Sequence, residues 1–232
     1  MLTRTLVGAL SLAMLTFPSL AAAQVGYTPR NSPFRDLEHR QEFTWYAGWY
    51  QTTKDPADVG PKSGVTAGLH YELRMAGPAY FTATVAGIKS ERRVIDPSQL
   101  IVNRFKGNVS LNMMAVDVGF ALNLTGCKSW HGLVPTLGGG AGLGLGFDSP
   151  DVGKFKYGYP FLLVARPGIK FAPHGRWQGR IDATNYFQRI RYPQTYFTKT
   201  TADPTVLTVG DAQNVWKRNL ALTVGLTYAF GR

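Results

Sequence analysis

The sequence predicts an all-β protein, an eight-stranded antiparallel up-and-down transmembrane β-barrel. Three observations predict it. Eight segments alternate in hydropathy with a period of two, and most are ten residues or longer. The links between them alternate long and short. The less apolar face of the segments carries Gly, Ala, Thr and Asn rather than Lys and Glu. Strands in soluble sheets usually run to about 5–6 residues, whereas a tilted strand needs about 9–11 to cross a bilayer. Segment length therefore favours a membrane.

The chain opens with Met1-Leu2-Thr3-Arg4, an apolar stretch from Leu6 to Leu15, and the small-residue run Ala21-Ala22-Ala23 before Gln24. That order of charge, apolar core and small residues predicts a secretory signal peptide over 1–23, cleaved after Ala23. No cysteine stands at the cut, so no lipid anchor is expected there. Residues 24–41 are expected to form a periplasmic N-terminal arm. Pro29, Asn31, Ser32 and Pro33 break structure there, and a single helical turn is expected between Phe34 and Gln41. The barrel is expected over 42–232, with no further module after it. No apolar run beyond residue 23 is long enough for a membrane helix. Cys127 is the only cysteine, so the fold must hold without an internal disulfide.

The eight segments are 42–50, 64–75, 79–90, 109–124, 133–147, 159–172, 176–190 and 216–230. The first link, Gln51 to Ser63, is long, and the second is only Ala76-Gly77-Pro78. Glu91 to Asn108 is long, and the turn at Gly126-Cys127-Lys128-Ser129 is shorter. Asp148 to Gly158 is longer again, Pro173-His174-Gly175 is tight, and Tyr192 to Val215 is the longest. Outer-membrane barrels have short periplasmic turns and longer outer loops, so this order predicts both termini on the periplasmic side.

The faces separate by size. Leu137, Ala141, Leu143, Leu145 and Phe147 oppose Thr136, Gly138, Gly140, Gly142, Gly144 and Gly146. Val116, Val118, Phe120, Leu122 and Leu124 oppose Asp117, Gly119, Ala121 and Asn123. Leu220, Leu222, Val224 and Leu226 oppose Asn219, Ala221, Thr223 and Gly225. Large apolar residues on one face with small polar ones on the other suit a narrow lumen inside and lipid outside. Aromatics gather near segment ends, among them Trp45, Trp49, Tyr50, Tyr80, Phe171, Trp177, Tyr186 and Trp216, and are expected to form interfacial girdles.

The last segment ends Thr223-Val224-Gly225-Leu226-Thr227-Tyr228-Ala229-Phe230. This resembles the C-terminal insertion signal of outer-membrane barrels, with Thr223, Gly225, Tyr228 and Phe230 matching by position. Gly231-Arg232 depart from it by following the usual terminal aromatic. The whole mature chain resembles the small eight-stranded family typified by the transmembrane domain of outer-membrane protein A. The resemblance implies contact with outer-membrane lipids and with the barrel-insertion machinery.

Ionisable residues fall on the expected lumen face: His70, Glu72, Arg74, Asp117, Arg166, Lys170, Arg180 and Asp182. Isolated buried ions are very costly, so Glu72, Asp117 and Asp182 are expected to pair with Arg74, Arg166 and Arg180. Such a network could be a structural plug or the gate of a narrow path. The chain is basic, with 25 Lys and Arg against 14 Asp and Glu. Arg92, Arg93, Arg104, Lys106, Lys154, Lys156, Arg189 and Arg191 fall on the outer loops and strand tips. There they could hold lipopolysaccharide phosphates by charge-assisted hydrogen bonds or form a solvated rim. Export excludes a nucleic-acid partner, and a monomer is expected. No catalytic residue, metal site or cofactor is expected. A Ser–His–carboxylate constellation is not evident, because His39, His131 and His174 fall in the arm or turns and His70 stands beside Glu72 alone. Pro135 and Pro167 interrupt segments, and either could open the wall to small apolar molecules.

Overall fold

The computed structural model describes residues 32–173, 175–198, 205–208, 211 and 213–231. The signal peptide, the first part of the arm and His174 lie outside the described residues. The strands are β1 (Phe34–Asp36), β2 (Gln41–Thr52), β3 (Gly64–Ala76), β4 (Ala79–Ile95), β5 (Phe105–Asn123), β6 (Lys128–Trp130), β7 (Leu133–Gly146), β8 (Phe161–Phe171), β9 (Trp177–Arg191) and β10 (Asn214–Phe230). Eight of them pair in the order β7-β5-β4-β3-β2-β10-β9-β8, and pairing of β8 with β7 closes the ring. Every pairing is antiparallel, and β10 returns to β2 through twelve residue pairs from Asn219↔Thr52 to Phe230↔Gln41. Closure joins the two ends of the sheet, as strands surrounded by lipid require.

The alternation sets the faces as the pattern requires. Phe120, Leu143 and Val224 are 61, 51 and 64% exposed on the outer wall, whereas Thr223 is 6% exposed inside. Glycine makes room in the lumen where large side chains lie flat against the wall. At Gly68 an added Cβ would fall 2.6 Å from the Tyr46 hydroxyl, and at Gly168 it would meet the Asp182 carboxylate. Gly77 supplies the positive φ of +51° in the tight turn between β3 and β4.

Three expectations are corrected. The segment Phe34–Asp36 is a strand rather than a helical turn: it pairs with β6, Phe34↔Trp130 to Asp36↔Lys128. The unpaired edge of the β6 turn offers it a ladder. The chain then crosses the short-turn mouth, with Leu37 N–H donating to the Cys127 carbonyl and Arg40 N–H to that of Gly231. Second, Tyr50, Tyr80 and Tyr186 are buried in the lumen, not in the girdles, because their parity is that of the inner face. Trp45, Trp49, Trp177 and Trp216 do lie exposed on the outer wall. Third, β4 and β5 continue past the expected limits, to Ile95 and from Phe105. Pro135 is paired with Ile169 in an intact ladder. Between β8 and β9 the ladder steps from Ala165↔Asn185 to Gly168↔Asp182, leaving Arg166 and Pro167 without partners on that side. Proline has no N–H to offer.

Candidate functional site

The lumen toward the short turns is occupied by ions. Inner-face parity on β2, β3, β8 and β9 points Glu42, Glu72, Lys170 and Arg180 at one another across the bore. Arg180 Nη1 donates to Glu72 Oε1 at 2.7 Å and its Nε to Asp182 Oδ2 at 2.6 Å. Lys170 Nζ bridges Glu42 Oε2, at 2.8 Å, and Glu72 Oε2. Deeper in, Arg166 Nη2 contacts both Asp117 oxygens at 3.1 and 3.2 Å, and its Nε donates to Thr184 Oγ1. All seven of these ionic side chains are buried. Glu42 was missed in the sequence, although its parity with Thr44 carries it to the inner face.

The expected Glu72–Arg74 pair is not formed. Lys170 and Arg180 reach Glu72 across the bore instead. Arg74 turns to the mouth, where it donates to the Leu37 carbonyl and, from Nε, to the Tyr80 hydroxyl at 3.1 Å. The register shift between Arg74 and Ala76 helps to swing it out.

His70 contacts Glu72 Oε1 through Nε2 at 3.0 Å and Thr84 Oγ1 through Nδ1 at 2.8 Å. The hydroxyl–imidazole–carboxylate order is that of a nucleophile, base and orienting group. Thr84 was overlooked in the sequence because it lies on a neighbouring strand, paired with His70 in register. All three side chains are buried among the ion pairs. Their geometry satisfies polar groups that would otherwise be buried without a partner.

Toward the long loops the filling changes character. Tyr50, Ile88, Leu111, Met113, Leu162 and Val164 pack with Tyr186 as one buried cluster, with Tyr46 and Tyr157 against it. Above it the loops fold over the bore. Val59, Phe155, Tyr192, Tyr196 and Leu207 form a second apolar cluster. Tyr192 donates to Asp55 Oδ2 at 2.6 Å, and burial together with that bond pushes its hydroxyl above the usual tyrosine range. Arg92 Nη1 donates to Asp151 Oδ2 at 2.6 Å, while Nε lies 3.1 Å from Asp148.

Arg92 is therefore not a rim residue. It is fully buried, because β4 keeps its inner-face parity past residue 90. The other seven expected rim residues lie at the long-loop end. Arg93 pairs with Asp58, Arg104 Nε donates to the Gln99 carbonyl at 3.0 Å, and Lys106 is exposed. Lys154, Lys156, Arg189 and Arg191 surround a single groove of about 570 Å³ with Tyr157, Tyr159 and Tyr192, and among the described residues no carboxylate lines it. Thr223 and Gly225 face the lumen, while Tyr228 and Phe230 stack on the outer wall with centroids 6.1 Å apart. Among the described residues no cluster of three or more His, Cys, Asp or Glu side chains could hold a metal ion.

A closed antiparallel ring of eight strands, apolar outside and ion-paired within, is the fold of the small outer-membrane β-barrels. Among solved structures, Neisserial surface protein A is similar over 82% of this chain and 97% of its own, with a TM-score of 0.51 at 12% identity. The outer membrane protein OprG from Pseudomonas aeruginosa is similar over 84% of this chain and 98% of its own, with a TM-score of 0.50 at 12% identity. At that identity the likeness is one of fold. No protein-family model and no curated protein matches the sequence.

Proposed function

We propose that this protein sits in the outer membrane of a Gram-negative-type envelope, termini in the periplasm, as a non-enzymatic structural or interaction protein whose lumen does not conduct. The filled bore carries this reading: ions on one side, a tyrosine and aliphatic cluster on the other, and a loop cap above them. The groove of Lys154, Lys156, Arg189 and Arg191 holds lipopolysaccharide phosphates, since four cations with no carboxylate among the described lining residues favour a multiply charged anion. Thr223, Gly225, Tyr228 and Phe230 serve the insertion machinery, and the barrel acts as a monomer.

Planar-bilayer conductance tests the reading. The wild type and an Arg166→Ala variant are both expected to be silent, and steps of stable conductance from the wild type would contradict it. In the same preparation, replacing Arg189 and Arg191 by Ala should weaken retention of lipopolysaccharide on the refolded barrel.

A second reading has one observation in its favour. The gap in the β8–β9 ladder at Pro167 offers a lateral exit to lipid for a small apolar molecule. Ordered detergent or lipid beside Pro167 would support it.

A further inference from the structure

The hairpin of β4 and β5 outgrows the rest of the barrel. On its outer face Val85 and Gly87 give way to Lys89, Glu91 and Arg93, and Val116 and Met114 to Asn112 and Ser110. The pair Lys89↔Asn112 thus marks the top of the apolar belt. Six further pairs follow, ending at Ile95↔Phe105. At about 3.3 Å per residue this ribbon stands roughly 20 Å beyond the belt before any tilt. β3 and β7 stop pairing with it at Val65↔Lys89 and Met113↔Gly146.

The ribbon ends in an apolar tip. Leu100, Ile101 and Val102 are consecutive and exposed, Val102 at 91%, with Phe105 exposed just below. Several polar groups of the turn are used internally. Asp96 accepts from the Ser98 amide and hydroxyl at 3.0 and 2.6 Å, Asp96 N–H donates to the Arg104 carbonyl, and Asn103 N–H to that of Leu100. Each polar group of the turn that is paired within it lowers the desolvation cost of leaving water. The ribbon also carries Lys89, Arg93, Arg104 and Lys106 against Glu91 and Asp96.

We infer that the β4–β5 tip docks into an anionic phospholipid surface facing the protein's own membrane: Leu100, Ile101 and Val102 enter the acyl boundary, and Arg104 and Lys106 meet the headgroup phosphates. Buried apolar area and attraction to anionic headgroups are the two terms that hold a peripheral element on a bilayer. A protrusion fits a fluid interface without a matching cavity, and the cations below it select negative charge. The height of the ribbon directs it away from the bilayer the barrel spans.

The test uses the full chain in nanodiscs of neutral lipid, which leave both barrel ends accessible, so its outcome is separable from the orientation proposed above. Flotation with added vesicles should show binding that grows with phosphatidylserine content. Ile101→Ser together with Val102→Ser should weaken it roughly tenfold or more, since each residue loses most of its transfer gain. Arg104→Ser with Lys106→Ser should remove the dependence on phosphatidylserine. Heat-modifiability on a gel checks that each variant folds. Failure to bind vesicles of any composition would overturn the inference, as would binding that survives the Ile101/Val102 change. Loss of self-association, or of capture by a protein partner, without any vesicle binding would likewise overturn it in favour of an apolar protein contact.

Discussion

Toward the short turns the barrel interior is held by Glu42, Glu72, Lys170, Arg180 and Asp182 in mutual contact. Toward the long loops the same bore is filled by Tyr50, Ile88, Leu111, Met113, Leu162 and Tyr186, of which only the two tyrosine hydroxyls need a directed partner. The two fillings respond differently to damage. An apolar cluster loses contacts and transfer free energy in proportion to the volume removed. An ion network fails as a unit, because removing one member strands the others in a medium that solvates them poorly. The half nearer the termini should therefore be brittle and the half under the loops tolerant.

The sharpest way to break that contrast is Glu72→Ala. It leaves Lys170 with Glu42 only and Arg180 with Asp182 only, and should cost about 3–5 kcal/mol in reversible urea unfolding in detergent. Equal tolerance of Glu72→Ala and Ile88→Val would erase the difference between the halves. Next in size is Tyr192→Phe in the cap. It removes a hydrogen bond to a charged acceptor, worth about 1.5–3 kcal/mol, and should show as faster proteolysis of the loops before the barrel unfolds. Ile88→Val should cost about 0.5–1.5 kcal/mol. Arg74→Ala, at the mouth and outside the ion network, should cost about 1 kcal/mol through its lost hydrogen bonds.

Alkali separates the regions by another route. The Tyr192 hydroxyl is held above the ordinary tyrosine pKa by burial and by the Asp55 carboxylate. A raised folded pKa means that the neutral form is favoured in the cap. Its contribution is intact below the unfolded pKa and is lost as pH rises above it through the folded value. Loop protease sensitivity should rise above about pH 10 in the wild type, and less steeply in Tyr192→Phe, where Tyr196 is the remaining buried hydroxyl of the cap.

Much of the fold was legible because the two faces differ so strongly in chemistry. The segment expected over 64–75 is Gly64–Ala76, and 133–147 is Leu133–Gly146. Period two fixes which residues face in, and that placed Asp117, Arg166, Arg180 and Asp182 in the lumen. It does not fix which inner residues meet across the bore, since that depends on strand stagger and tilt. Glu72 was thus assigned to its sequence neighbour Arg74 rather than to Lys170 and Arg180. Arg92, Tyr50 and Tyr186 were misplaced for a simpler reason. Their parity says inward, but charge and aromatic character suggested the rim and girdles. The Thr84–His70 contact needed strand register, which a single sequence does not display.

The orientation of the wall is tested most directly by spin labels placed one at a time along β10, as Leu222→Cys, Thr223→Cys and Val224→Cys in a Cys127→Ser background. Collision rates with oxygen and with a water-soluble nickel chelate would be recorded in lipid vesicles. Labels at 222 and 224 should meet oxygen freely and the chelate hardly at all, while the label at 223 is shielded from both. Chelate reaching 222 and 224, with oxygen favouring 223, would turn the barrel inside out and contradict the membrane-spanning assignment.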